Sequence, residues 1–351
     1  MEFKGDLLRL VHILQEEVDV TVIICHLTGM ELLERCLDSI RYSEHIKYEI
    51  ILVSSIPSIN VGEDVLVIHS TEGPAYKRNL ASRFARGEYL VFFDDDVEIS
   101  PYCLYHLWEF METHPKCGMG FAKILNMERR DVFDDCGSWL TGTGFLYARS
   151  GNGRVDGGQF DKPLQILASK SATCITRRDL FISTGGFNAD YFILGEETDL
   201  SWRYWLKGQE IWYIPQAVSW HAFNTKFKPK SKHYTNERIH FHGCKNYINL
   251  LLTNLGAWRL LCTLPIHISI WLVSAVGFLL TGRLMRSWHI LRGIFWNLKP
   301  INLRRILQKR RRVQGSRVIS DKDLFRIVMH NPPVTYYLGR MARYLSQGLH
   351  G

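Results

Sequence analysis

Tyr89-Leu90-Val91-Phe92-Phe93-Asp94-Asp95-Asp96 runs five apolar residues straight into three carboxylates. An unbroken apolar run of this length reads as a strand buried on both faces, as in a parallel sheet covered by helices. The acids then stand at the strand's carboxyl end, where open α/β sheets bind their ligands. Adjacent carboxylates repel one another, so the run calls for a hard cation or another positive partner. Asp94 and Asp96, two apart in an extended segment, share a side and can reach one divalent ion, while Asp95 faces away. A solvated acidic turn capping the next helix is the competing reading.

The segments on either side of this run repeat a strand-then-helix pattern. Val20 to Cys25 is a β-branched strand, and Met30 to Ile40 a helix with Leu33, Cys36, Leu37 and Ile40 at helical spacing. Tyr48 to Val53 and Val65 to His69 are further strands, and Ala75 to Ala85 is a helix opened by Gly73-Pro74. Beyond the acids, Pro101 to Met111 reads as a helix, and seven glycines between 137 and 158 mark turns and a mobile loop. Ala172 to Thr176 resumes a strand and Arg178 to Ser183 a short helix. Asp199 to Leu206 is a helix, and Glu210 to Ile214 a strand ending at Pro215. This alternation predicts an α/β fold with a doubly wound, mostly parallel, Rossmann-like sheet.

The 351 residues suffice for one large domain and an appendage. We divide them into an N-terminal helical segment (1–17), a catalytic domain (18–237) and a basic, apolar helical region (238–351). The net charge of +8 points to an anionic partner, and its distribution says which. Between Arg238 and Ser320 there is no Asp or Glu, yet there are fourteen Lys and Arg around the apolar run Leu264 to Thr281. Such interleaving fits an anionic membrane surface and disfavours nucleic acid, which takes basic residues on a polar face. The run is long enough for a single transmembrane span. A crossing, however, would carry Arg283, Arg286, Arg292 and the Arg304–Arg317 cluster away from the catalytic side, so a peripheral or re-entrant unit is expected. The eight cysteines show no metal-ligand spacing and follow no secretory signal, which fits free thiols in a reducing cytosol.

Other candidate site residues lie apart in sequence. In Gly195-Glu196-Glu197-Thr198-Asp199 the acids open a helix, and complementing its dipole is one reading of Glu196. The chemical reading makes Glu197 a general base that takes a proton from a hydroxyl. His221, after Val218-Ser219-Trp220, is either structural or the imidazole that completes a metal site with Asp94 and Asp96. Lys77, Arg78 and Asn79 are either a solvated helix face or contacts to a diphosphate. Cys25-His26-Leu27-Thr28-Gly29 lacks the glycines and basic residues of a nucleotidyltransferase phosphate loop.

Taken in order, these motifs resemble glycosyltransferase family 2, in particular its rhamnosyltransferase-like branch, over roughly residues 18–255. The resemblance rests on Val20–Ile40, Gly73–Asn79, the Asp94-Asp95-Asp96 form of the DXD motif, Gly185-Gly186-Phe187, Glu196–Arg203 and His221. It implies a GT-A fold and a metal-dependent, inverting hexosyltransferase that uses a nucleotide-sugar donor, dTDP-rhamnose or a UDP-sugar. Mg or Mn would sit on Asp94, Asp96 and His221, and Glu197 would be the base. Asp94, Asp95, Lys77, Arg78 and Ser54 would contact the donor. Glu196 and Asp199 would support the acceptor or the helix start. The acceptor would be a lipid-linked glycan or glycolipid at the cytoplasmic face of the membrane, in polysaccharide or glycoconjugate assembly. Two departures stand out: Glu196-Glu197 replaces the usual Glu-Asp, and Ser54-Ser55 ends the second strand where many relatives carry an Asp for the nucleobase. The rival reading is an inactive, membrane-bound carbohydrate or lipid-headgroup binding protein of the same fold.

Overall fold

The computed structural model describes residues 17–27, 29–151, 153–222 and 236–347. The helical segment expected at 1–17 lies outside these residues but for Glu17. The chain opens with β1 (Val20–His26), α1 (Met30–Arg41), β2 (Tyr48–Ser54), β3 (Val65–His69) and α2 (Pro74–Ala81). The acidic run lies between β4 (Tyr89–Asp94) and β5 (Val97–Ile99), followed by α3 (Cys103–Thr113) and β6 (Cys117–Asn126). Short strands β7 (Phe133–Asp135), β8 (Ser138–Leu140), β9 (Leu146–Ala148) and β10 (Leu164–Gln165) occupy the glycine-rich stretch and its continuation. Then come β11 (Thr173–Arg177), α4 (Arg178–Thr184), α5 (Glu196–Leu206) and β12 (Glu210–His221).

The main sheet has the order β10-β12-β6-β11-β4-β1-β2-β3. β3, β2, β1 and β4 are mutually parallel, β12 is parallel to β6, and β11 runs antiparallel between β4 and β6. The expected α/β sheet, mostly parallel and covered on both faces, is therefore present. β4 lies near its centre and alternates between two cores: Tyr89, Val91 and Phe93 pack with Leu33 and Leu104, whereas Leu90 and Phe92 pack with Phe181 and Leu200. Both faces are dry, which is why the strand reads as an unbroken apolar run.

Two boundaries differ from expectation in ways that shape the site. β12 does not end at Pro215. A register shift against β6 between Ile214 and Val218 absorbs the proline, which has no N–H to donate, and the strand continues to His221. α5 starts at Glu196, three residues early, because Gly195 takes a left-handed conformation (φ 90) that ends the preceding loop.

The rest of the described chain is helical: α6 (Asn236–Asn254), α7 (Ala257–Leu280), α8 (Leu284–Leu298), α9 (Pro300–Gly315), α10 (Asp321–Val328) and α11 (Val334–Gln347). The basic residues of α9 divide between two sides of the helix. Lys309 turns inward to Asp199, with Nζ 2.7 and 2.8 Å from its carboxylate oxygens. Arg310 donates to the carbonyls of Leu252 and Leu255, and Gln314 to those of Thr253 and Asn254. These are the orphan carbonyls at the end of α6, so this side of α9 is a helix cap. All eight cysteines are free, and only Cys262 is exposed.

Candidate active site

β5 pairs antiparallel with β12, which sets His221 opposite Val97. The Ala222 amide donates to the Asp96 carbonyl at 2.9 Å. Because β12 runs on past Pro215, its last residue reaches the acidic run, and ligand atoms of Asp94, Asp96 and His221 all lie within 4.8 Å of one another. His221 Nε2 is 3.3 Å from Asp96 Oδ1 and 4.0 Å from Asp94 Oδ2. Its Nδ1 lies 2.8 Å from Asp134 Oδ2, and Asp134 in turn accepts from Lys170 Nζ at 2.6 Å. This chain fixes the ring so that Nε2 faces the acids, as ligating histidines require. Two carboxylates and one imidazole suit Mg or Mn and leave room for oxygen ligands from a substrate. Burial alone would lower the His221 pKa, but Asp96 and Asp134 outweigh it and hold it up at about 9. Cation binding at neutral pH therefore expels a proton.

The remaining donor-side residues serve mainly as supports. Asp95 turns to the end of β1, its Oδ2 2.9 Å from His26 Nδ1 and accepting from the Leu27 amide at 3.2 Å. Burial raises its pKa, with His26 opposing. Arg78 was expected to contact a diphosphate, yet its guanidinium is only 2% exposed. It donates to Asp94 Oδ1 at 2.7 Å and Ser171 Oγ at 2.9 Å, and lies 3.8 Å from Glu196 Oε1. Arg78 is thus the buried counter-charge between the two acidic clusters. Lys77 is buried as well, donating to the His26 carbonyl at 2.6 Å and Ser55 Oγ at 2.7 Å, which ties β1 to β2. Burial lowers its pKa. Ser54 is fully buried and its Oγ accepts from the Ile56 amide at 2.9 Å. This helix face is turned onto the strand ends rather than solvated, a tertiary outcome that α2 itself does not encode.

Glu196 and Glu197 follow two left-handed residues, Leu194 (φ 69) and Gly195 (φ 90). A leucine there costs about 1 to 3 kcal/mol and persists only if its surroundings impose it. Asn246 of α6 does so, donating to the carbonyls of Ile193 and Leu194, each at 2.7 Å. Lys245 adds a bond to the Asp190 carbonyl at 2.6 Å. Glu197 is half-buried, and its pKa is pushed well above the carboxylate range by burial first and then by the charge of Glu196. Glu196 is raised too, by burial, with Arg78 opposing. A carboxyl whose pKa is raised in this way is a candidate general base.

Asp199 is turned away from the cluster into the joint between helices. It is fully buried, accepting from Lys309, from Arg203 Nε at 2.9 Å and from Asn254 Nδ2 at 3.3 Å. Lys309 and Arg203 overcome the cost of burial and lower its pKa. Its role is support: it joins α5 to α6 and α9. Sequence reasoning missed Asp134, Lys170 and Asn246. The pair Asp134-Asp135 at the end of an apolar residue was the one available signal, and it repeats in miniature the pattern of Asp94–Asp96.

Residues 21–159 match the family described as Glycosyl transferase family 2. Among curated proteins none matches the chain. The chain is similar in structure to GalNAc-T7 crystallised with UDP, GalNAc and Mn2+, at TM-score 0.56 and 14% identity over 82% of this chain and 57% of that one. It is also similar to S. aureus TarS, at TM-score 0.54 and 16% identity over 85% of this chain and 52% of that one. The 1-349 form of TarS in complex with UDP-GlcNAc gives TM-score 0.52 and 16% identity, covering 85% and 87%. The family thus matches the acidic half of the sheet, and the described chain has the GT-A-like fold of these structures around a cluster able to hold a cation.

Proposed function

We propose that the chain transfers a hexose from a nucleotide-sugar donor, dTDP-rhamnose or a UDP-sugar, to a hydroxyl of a membrane-presented glycan or glycolipid, with inversion. One observation carries this reading: Arg78 joins Asp94 of the cation cluster to Glu196, the neighbour of the raised carboxyl Glu197. A donor-holding site and a base thus share one buried counter-charge. Donors in related structures, UDP with GalNAc for GalNAc-T7 and UDP-GlcNAc for TarS, support the donor class.

Asp94, Asp96 and His221 would hold the divalent metal, which when bound offsets charge on the leaving nucleoside diphosphate. Glu197 takes the proton of the acceptor hydroxyl as its oxygen bonds to the anomeric carbon and the bond to the diphosphate breaks. One displacement inverts that carbon. Arg78 keeps Asp94 and Glu196 together despite their like charge, and Asp134 holds the His221 ring in line. The helices after β12 are basic and apolar, with Ala257–Leu280 long and apolar enough to cross a membrane, and this supports an acceptor presented at a membrane surface, on its cytoplasmic face in this reading.

The test is release of nucleoside diphosphate by the purified chain across a panel of nucleotide sugars with Mg or Mn. Release with one donor, abolished by chelation and by Glu197→Gln, supports transfer. Binding of donor without release or transfer under any condition favours the inactive binding protein.

A further inference from the structure

α7 and α8 each turn a broad apolar side outward. In α7, Thr263, His267 and Ser274 are buried beside Trp271, Ala275 and Phe278, whereas Leu261, Leu272, Val273, Val276, Leu279 and Leu280 are exposed. At 3.6 residues per turn the exposed set falls on one side. α8 repeats the pattern: Ser287, His289, Ile290, Gly293 and Asn297 face inward, while Leu284, Trp288, Phe295 and Leu298 face out. A surface helix in water does the reverse, and apolar patches this broad mark an apolar partner.

The inward polar groups show where these helices dock. His267 Nδ1 lies 3.0 Å from the Thr143 carbonyl, and Trp271 donates to His267 at 3.0 Å and packs on Phe145. Asn297 donates to the Lys245 carbonyl of α6 at 3.1 Å. Both helices thus present their apolar sides away from the catalytic domain. Next to them, α9 has a second side. Arg304, Arg305, Arg311 and Arg312 are exposed and make no hydrogen bond or ion pair among the described residues. Arg304 and Arg311 flank Leu303 and Leu307 in a shallow groove of about 480 Å³. A neighbouring groove shares Leu307 and Arg311 and reaches Ala257, the first residue of α7. Unpaired guanidinium groups beside an apolar face complement lipid phosphates above acyl chains.

We propose that the outer sides of α7 and α8 insert into one leaflet of an anionic phospholipid membrane, with the free arginines of α9 on lipid phosphates, and that the chain is monotopic. The proposal deepens the reading of a membrane-presented acceptor and rests on it for the acceptor's place. At 24 residues α7 is long enough to span. Its middle, His267 to Trp271, is nevertheless fixed to Thr143 and Phe145 of the catalytic domain, and a span would carry those residues to the bilayer centre.

The full chain is floated with phosphatidylcholine vesicles with and without phosphatidylglycerol, in the absence of donor. Binding to the anionic vesicles is expected, falling roughly five-fold for each of Arg304→Gln and Arg311→Gln and lost in the Leu272→Glu, Val276→Glu double variant. Nucleoside diphosphate release from a soluble donor should be unchanged in all of these. Wild-type chain that does not float, or arginine variants that bind as well as wild type, overturn the proposal. Depth is read from an environment-sensitive dye on Cys262, the one exposed thiol, or on Leu272→Cys or Leu280→Cys in a Cys262→Ser background. Lipids brominated near the headgroup should quench all three alike. Deep quenching at 272 alone would show a span and sink the monotopic geometry. Vesicle binding without turnover of any donor would leave this surface standing and remove the transferase reading instead.

Discussion

β4 and α8 solve opposite problems with the same alphabet. β4 buries Val91, Phe92 and Phe93 and ends by delivering carboxylates to a solvent-facing edge. α8 buries Ser287, His289 and Asn297 and shows Leu284, Trp288 and Phe295 to the outside. The first is an element whose surroundings are protein and whose ligand is ionic. The second packs a mixed polar and apolar side against the protein and turns an apolar side outward. Which residue types count as interior therefore depends on what lies beyond the surface, and a residue should behave according to the region it serves.

The largest effect is expected where the ionic ligand is handled. Glu197→Gln should lower kcat by about 10² to 10⁴, the usual worth of a general base, while donor affinity stays within a few-fold. Steady-state kinetics with a direct donor-binding measurement decide it, and near-normal transfer would remove Glu197 from the chemistry. Next is the joint between the regions. Asp199→Ala strands Lys309 and Arg203 without their carboxylate, a loss of about 3 to 5 kcal/mol for a broken buried pair. Denaturant unfolding should show it as a lower midpoint. An unchanged midpoint would mean that the two regions are held together by other contacts.

Asn246 lies in the helical region but acts on the catalytic one. Asn246→Ala should release the left-handed turn at Leu194 and lower kcat about ten-fold, in line with the loss of two hydrogen bonds, with donor KM little changed. The pH profile distinguishes this from general damage. Glu197 has a raised pKa because it is buried beside Glu196, so a loosened, better hydrated turn lowers that pKa. The acid limb of kcat, which rises as the base loses its proton, should then move to lower pH.

Much of the catalytic region was legible because its signals are local. The apolar run, the acids at its end and the start of α5 each occupy a few consecutive residues. The Asp94, Asp96 and His221 grouping was also readable, since Asp94 and His221 end strands and Asp96 stands in the turn just past β4, in a sheet that gathers such ends on one edge. Other residues were misread or missed because their roles arise between distant segments. Asp134 meets His221 across 87 residues, and Asn246 meets Leu194 across 52. Arg78 and Lys77 were read as diphosphate contacts, because nothing in α2 reveals that both side chains are buried over the strand ends. In the helical region composition pointed to a membrane, but it could not separate the arginines that cap α6 from those that face out.

Metal affinity should follow pH with a definite sign. The His221 imidazolium, held at about 9, must lose its proton to ligate. Apparent affinity should therefore fall about ten-fold for each unit of pH below 9 and level off above it, one proton being released per ion. Calorimetry in buffers of different ionisation enthalpy counts that proton. A pH-independent affinity between 6 and 8 would mean that His221 is not a ligand.

The smallest predicted effect separates two neighbours in one helix. Arg310 donates to the carbonyls of Leu252 and Leu255 at the end of α6, whereas Arg311 is exposed and unpaired among the described residues. Arg310→Gln should cost about 1 to 3 kcal/mol, because the carbonyls it served are left partly unsatisfied. Arg311→Gln should stay within about 0.5 kcal/mol, as surface changes usually do. The same charge is removed in both, so net electrostatics cannot explain a difference between them. Equal losses would mean that α9 is stabilised through its charge as a whole, and its division into a capping side and a free side would fail.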